Sequence, residues 1–371
     1  MRVDWSSIVR CLAFGAAIAG AAWADETPAP QPRVLHIANR PDFIAEDTVQ
    51  KFEAETGIKV TYDTYPTDEA LVAALAAGNK QGWDLIVTSA VPNLHRAIAD
   101  HLLRPIDPAK LSNFGNLDSE ILAAVAAVDP GNKFELPYLW GTAGLGINLA
   151  MLKQAVPDAP TDSLALVFDP ALVARVAACG VAMADAPQDA FPAALAFLGL
   201  DPATQDERNL AKAGELLARL KPFVKRLGFD DFAGELGAGK FCVGFGPSTA
   251  VSDARTRADE AEDGPDITYV IPKEHVRRWI DVLAIPAGAE HEDTAYAFID
   301  YLLRPEIISD VTDWTGAANP NNLAADFVDD DDKSDETVFP SAASRGLLFL
   351  DKPMSAEAVR ARQRLWARTQ P

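Results

Sequence analysis

Four polar side chains stand where an α/β protein can hold a small solute: Asp42, Ser89, Asp189 and Asp281. Asp42 follows the apolar run Val34–Ala38, which reads as a buried strand, and precedes a helix over Ala45–Thr56 that Gly57 stops. A second strand over Ile58–Tyr62 completes a β-α-β unit, and in open α/β sheets ligands bind where such strands end. Asp42 is therefore the first ligand-binding candidate, the alternative being a turn residue after Pro41. Ser89 ends a third buried strand, Trp83–Val87, as either a ligand contact or the N-cap of a short helix around Asn93–Ala99. Asp189 lies between the strand Val181–Ala184 and a following helix, as a ligand carboxylate or as an acid favoured by the helix dipole. Asp281 interrupts the strand Trp279–Ile285, and a charge there needs a partner.

The elements that must position these residues alternate between strands and helices. Helices are expected over Thr67–Ala77, Leu117–Ala127, Leu172–Ala178, Phe191–Leu198, Leu210–Leu220 and Thr294–Leu303. Phe134–Trp140 and Gly141–Asn148 read as two extended segments with a change of domain near Tyr138, where glycines let a crossing strand bend. Phe241–Phe245 and Ile267–Ile271 are further strands, and a helix starts at Pro247-Ser248-Thr249. The run Asp329–Asp332 lacks the spaced oxygens and turn glycine of an EF-hand, and reads as a solvated surface loop.

The amino terminus is an export signal: Arg2 and Arg10 flank a polar start, Cys11–Ala22 is apolar, and Ala22-Trp23-Ala24 is a small-x-small cleavage site. The apolar run is short for a membrane span, so the product is expected to be soluble and exported, beginning at Asp25. Removing residues 1–24 takes away a net +1 and turns a formal charge of −21 into −22, which argues against nucleic acid as a partner. Cys179 and Cys242 remain. In an oxidising compartment they are a disulfide candidate, worth about 4 kcal/mol for a loop of 62 intervening residues, against two separate buried thiols.

Catalytic patterns are missing from the sequence. It holds no Gly-x-Ser-x-Gly elbow, no phosphate-cradling Gly-x-x-x-x-Gly-Lys loop and no Cys-x-x-Cys, and its five histidines lack metal-ligand spacing. No enzyme activity, metal or cofactor is expected.

Longer runs carry a family likeness. Val34-Leu35-His36-Ile37, Phe52–Val60, Trp83–Val87, Asn132–Tyr138, Ile271-Pro272-Lys273-Glu274 and Tyr301–Glu306 resemble the putrescine/spermidine-binding receptors of ABC transporters, the putrescine branch above all. The resemblance spans nearly the whole mature chain. It implies a bilobal periplasmic binding protein (type II) fold, with two α/β domains joined by hinge strands. The first lobe would comprise residues 25–138 plus about 279–320, and the second 139–278 plus about 321–371. It also implies a Cys179–Cys242 disulfide, a monomer, a periplasmic location and an inner-membrane ABC permease as partner.

Carried over residue by residue, the family's aromatic-Ser-Asp-Tyr run is here Arg40-Pro41-Asp42-Phe43, its serine is Ser89, and its second-lobe carboxylate is Asp189. The aromatic and acid near the second hinge are Trp279 and Asp281. Another family Trp and Asp fall on Pro247 and Ala250, and a late tyrosine falls on Ala317. The implied roles are an ammonium group on Asp281 and Asp42, a methylene path along Trp279 and Phe43, and hydrogen bonds from Ser89 and Asp189. Arg40 stands against a cationic ligand: about 5 Å from an ammonium it would cost roughly 3 kcal/mol, or about a hundredfold in affinity. Arg40 therefore turns outward, pairs with a neighbouring acid, or meets an acceptor on the ligand. A polyamine is the expected ligand, with an ω-amino acid or acid-bearing polyamine derivative, or a sensing role in the same fold, as alternatives.

Overall fold

A computed structural model describes residues 33–369; the expected signal sequence and cleavage point lie outside the described residues. Among these, ten strands build a curled sheet: β1 (Val34–Asn39), β2 (Lys59–Thr64), β3 (Leu85–Ser89), β4 (Leu136–Asn148), β5 (Val181–Ala184), β6 (Val224–Leu227), β7 (Val243–Pro247), β8 (Ile267–Val270), β9 (Val276–Ala284) and β10 (Leu348–Leu350). Their order is β2-β1-β3-β9-β4-β7-β5-β6, with β10 on β9 and β8 on β4.

The opening unit forms because its apolar residues keep the strand period. Leu35 and Ile37 point into one core beside Phe52, Leu85, Val87, Leu283 and Phe298. Ala38 points to the opposite face, with Trp83, Ile86, Ile280 and Val282. The first helix spans Thr48–Thr56, three residues later than its apolar pattern suggests, and Gly57 ends it at φ 69° with its amide on the Glu53 carbonyl. The rings of Phe52 and Phe298 meet edge to face with centroids 4.9 Å apart.

Phe134–Asn148 differs from the sequence expectation of two extended segments. Leu136–Asn148 is one strand of 13 residues, buried throughout, with a register irregularity between Pro137 and Leu139. Leu136–Thr142 pair antiparallel with β9, and Ala143–Ile147 pair antiparallel with β7. The chain thus passes from one half of the sheet to the other inside a single strand.

Beyond that point a second core takes over. Leu145 and Ile147 pack with Phe168, Phe191, Leu216 and Phe245, and the helix Ala356–Ala367 adds Ala361 and Trp366. Ala324, in contrast, still packs with Phe52 and Phe298. Cys179 and Cys242 form a disulfide with Cα atoms 5.5 Å apart, tying the approach to β5 to the approach to β7. Asp330–Ser334 is a short helix rather than a loop, and no group of three or more potential metal ligands occurs among the described residues. No described helix is long and apolar enough to cross a membrane.

Candidate functional site

Strand direction gathers the site. β1 and β3 run parallel, and so do β5 and β7, so the residues after Asn39, Ser89, Ala184 and Pro247 all follow carboxyl ends of strands. β9 runs antiparallel to β3 and puts Asp281 opposite Ser89, and β4 puts Leu139 opposite Asp281. The Asp inside a strand is thereby explained: its register sets it at the carboxyl end of β3.

The loop after β1 is shaped by Asn39. Its side chain accepts from the Arg40 amide at 2.7 Å and donates to the Phe43 carbonyl at 3.2 Å, while the Tyr138 hydroxyl donates to that carbonyl at 2.8 Å. Asp42 takes the left-handed conformation at φ 56°, which Asp tolerates better than most residues. It is exposed, and among the described residues its carboxylate has no hydrogen-bonding or ionic partner.

Arg40 is held between two acids. Its guanidinium pairs with Asp281 and, through Nη2, with both oxygens of Asp68 at 2.9 and 3.1 Å. Its Cζ lies 5.4 Å from the Phe43 ring centroid, and the Phe43 ring is 6.2 Å from that of Trp279. Asp68 also accepts from the Tyr65 hydroxyl at 3.0 Å and from Asn93 at 2.9 Å. The Ser89 hydroxyl accepts from the same Asn93 amide at 2.9 Å, and it does not cap the following helical turn. One guanidinium thus faces two carboxylates, leaving one negative charge uncompensated.

The acids respond differently. Burial raises the Asp68 carboxyl, but Arg40 and the hydrogen bonds overcome it and hold the group below the usual carboxylate range. Asp281 is deeper: burial, with the like charge of Asp68, outweighs Arg40 and raises its carboxyl. Burial also opposes the charged form of Arg40, yet the two acids raise its pKa further.

Asp189 belongs to a second cluster. It is 4% exposed, in the first turn of the helix Pro187–Phe197, and accepts from Arg277 at 2.8 Å. Asp351 lies 2.9 Å from the Arg277 Nε. Arg277, Trp279 and Asp281 share one face of β9 by strand alternation, so the indole sits between the two ionic clusters. Gly141, opposite Trp279 on β4, makes room for it: a Cβ there would clash with the indole and stand 2.7 Å from Ser248 Oγ. The indole N–H is buried without a partner among the described residues.

The structure therefore joins Arg40, Phe43, Trp279 and Asp281, and links Ser89 to them through Asn93 and Asp68. It places Asp189 with Arg277 and leaves Asp42 at the surface. Asp281 faces a protein guanidinium where the resemblance implies a ligand ammonium. The sequence reading missed Asp68, Tyr65, Asn93, Arg277, Asp351 and Gly141. Arg277 carried a usable signal, the alternation with Trp279 and Asp281. Asp68 resembled an ordinary first-turn acid behind the Thr67 cap.

A hinged two-part sheet with charged and aromatic side chains at converging strand ends defines a solute receptor. The chain belongs to the family described as bacterial extracellular solute-binding protein, whose model matches residues 47–340. It is 38% identical over 344 residues to the putrescine-binding periplasmic protein PotF of Escherichia coli, covering 92% of each chain. It is 36% identical over 358 residues to the putrescine-binding periplasmic protein SpuD of Pseudomonas aeruginosa, covering 96% of each. Among solved structures it is similar to the spermidine/putrescine ABC transporter substrate-binding protein PotD of Streptococcus pneumoniae. The TM-score is 0.76 at 25% identity, over 91% of this chain and 98% of that one.

Proposed function

We propose that this protein is the periplasmic receptor of an ABC importer, capturing a polyamine of the putrescine type between its two lobes and delivering it to the permease. The observation that carries the reading is the uncompensated charge of the Asp68–Arg40–Asp281 cluster beside the Phe43 and Trp279 rings. One negative charge about 5 Å from an ammonium, at an effective dielectric near 20, contributes roughly 3 kcal/mol. Aromatic faces add cation–π attraction and a desolvating wall for methylenes. Asp42, exposed and without a partner among the described residues, would meet the ligand's second ammonium. The similarity to two putrescine-binding periplasmic proteins supports the ligand class.

Binding alternates with rotation of the lobes about β4 and β9, and the chain works as a monomer. Calorimetric titration with putrescine, spermidine, agmatine and γ-aminobutyrate, beside an Asp281→Ala variant, tests the reading. The expected result is diamine binding at micromolar affinity or better, weakened at least tenfold in the variant. Silence towards putrescine, spermidine and agmatine would overturn the ligand class.

A further inference from the structure

Two carboxylates and an aromatic face are the chemistry that captures an alkylammonium, and here that set already holds a cation. The guanidinium of Arg40 touches Asp281 and Asp68 at once and lies 5.4 Å from the centroid of Phe43. It arrives from the loop that follows β1, whose backbone is pinned by Asn39 and Tyr138. The Arg40 side chain is about a quarter exposed, at 26%, while that of Asp281, which it contacts, is 4% exposed.

We propose that Arg40 is a specificity-determining residue that acts as a tethered competitor. Its guanidinium fills one amine subsite of the cleft, and a ligand ammonium enters that subsite only by displacing it. The proposal rests on the polyamine reading above and deepens it. A tethered group competes at a high effective concentration, set by its short reach rather than by the solution. The receptor's affinity for a diamine is therefore held below what its acids and rings would otherwise give. Ligands with one cationic end, which leave Arg40 in place, are penalised less.

Arg277 supplies an independent contrast on the same strand face. It too pairs with carboxylates, Asp189 at Nη1 and Asp351 at Nε, but it is 7% exposed. A cation so enclosed is part of the framework. Arg40 stands at the rim of its acid pair, where exchange with a solute is geometrically open.

The test is Arg40→Ala, with Arg40→Gln as the variant that keeps bulk and hydrogen-bonding capacity should the smaller side chain unfold the protein. Wild type and variants are titrated calorimetrically with putrescine, butylamine and methylguanidinium, after thermal melts establish that each is folded. The expected result is putrescine binding at least tenfold tighter in the variants than in wild type, with a smaller gain for butylamine. Unchanged or weaker putrescine binding in a folded variant overturns the proposal, because removing a competitor for the subsite must raise affinity. If neither protein binds putrescine, methylguanidinium decides. Its binding to Arg40→Ala but not to wild type upholds the filled subsite while the polyamine reading falls. Its failure to bind overturns both.

Discussion

Replacing Glu135 by Gln changes how stability depends on pH. Glu135 immediately precedes β4, has no exposed surface, and neither of its carboxyl oxygens has a partner among the described residues. Burial, with Asp129 adding a like charge, pushes its carboxyl up from 4.5 to about 8. At neutral pH the group is thus protonated in the folded protein and ionised in the unfolded chain. The folded state binds more protons throughout that interval, so stability is full below about 4.5 and falls as pH rises to about 8. At 1.36 kcal/mol per unit, the interval of about 2.5 units up to pH 7 corresponds to a loss of roughly 3 kcal/mol. Glu135→Gln mimics the neutral form and cannot ionise. Urea denaturation of both proteins from pH 4.5 to 9 should give nearly equal stabilities at the acid end. The variant should gain about 3 kcal/mol over wild type by pH 7 and level off above pH 8. A difference that stays constant across the series would refute the reasoning, since it would mean that Glu135 titrates alike in both states.

Gly141→Ala should overpack the Trp279 site, destabilising the fold by about 1–3 kcal/mol in denaturant titration and lowering putrescine affinity more than tenfold. Arg277→Met should remove the guanidinium that contacts both Asp189 and Asp351 and cost about 3–5 kcal/mol at pH 7, with part recovered at pH 4 as Asp351, whose carboxyl burial raises, protonates; chemical denaturation at both pH values checks it. Cys242→Ser should cost about 4 kcal/mol by loop entropy, a loss that reduction of the wild type reproduces in equilibrium unfolding.

Much of the fold was legible because it is written in local patterns. Val34–Ala38, the Gly57 stop and the Trp83–Val87 run follow the periods and breakers that a buried strand or a helix end demands. The boundary at Tyr138 was not legible as a continuous strand, because Gly141, Gly144 and Gly146 look like breaks in sequence and are close approaches in space. The site was half legible. Asp281 advertised itself as a charge inside an apolar strand, and Ser89 and Asp189 by their place after strands. What sequence left open was pairing: Arg40 meets Asp281 across 241 positions and Asp68 across 28, and neither spacing has a local signature. Burial decided the rest, turning carboxylates nominated for a ligand into partners of the protein's own arginines.

β4 is laced to β9 and to β7, and all 13 of its residues are buried. A strand so bonded along its length cannot slide past its neighbours without breaking a ladder, and the freedom left to it is torsion. It therefore behaves as an axle that turns without being dismantled. Amide hydrogens bonded in these ladders are expected to exchange on the timescale of global unfolding both with and without ligand, which hydrogen-exchange measurements check. If the lobes turn about this strand, as the proposed function requires, opening costs few backbone hydrogen bonds, and the side chains around Arg40 and Trp279 set the balance between the two positions.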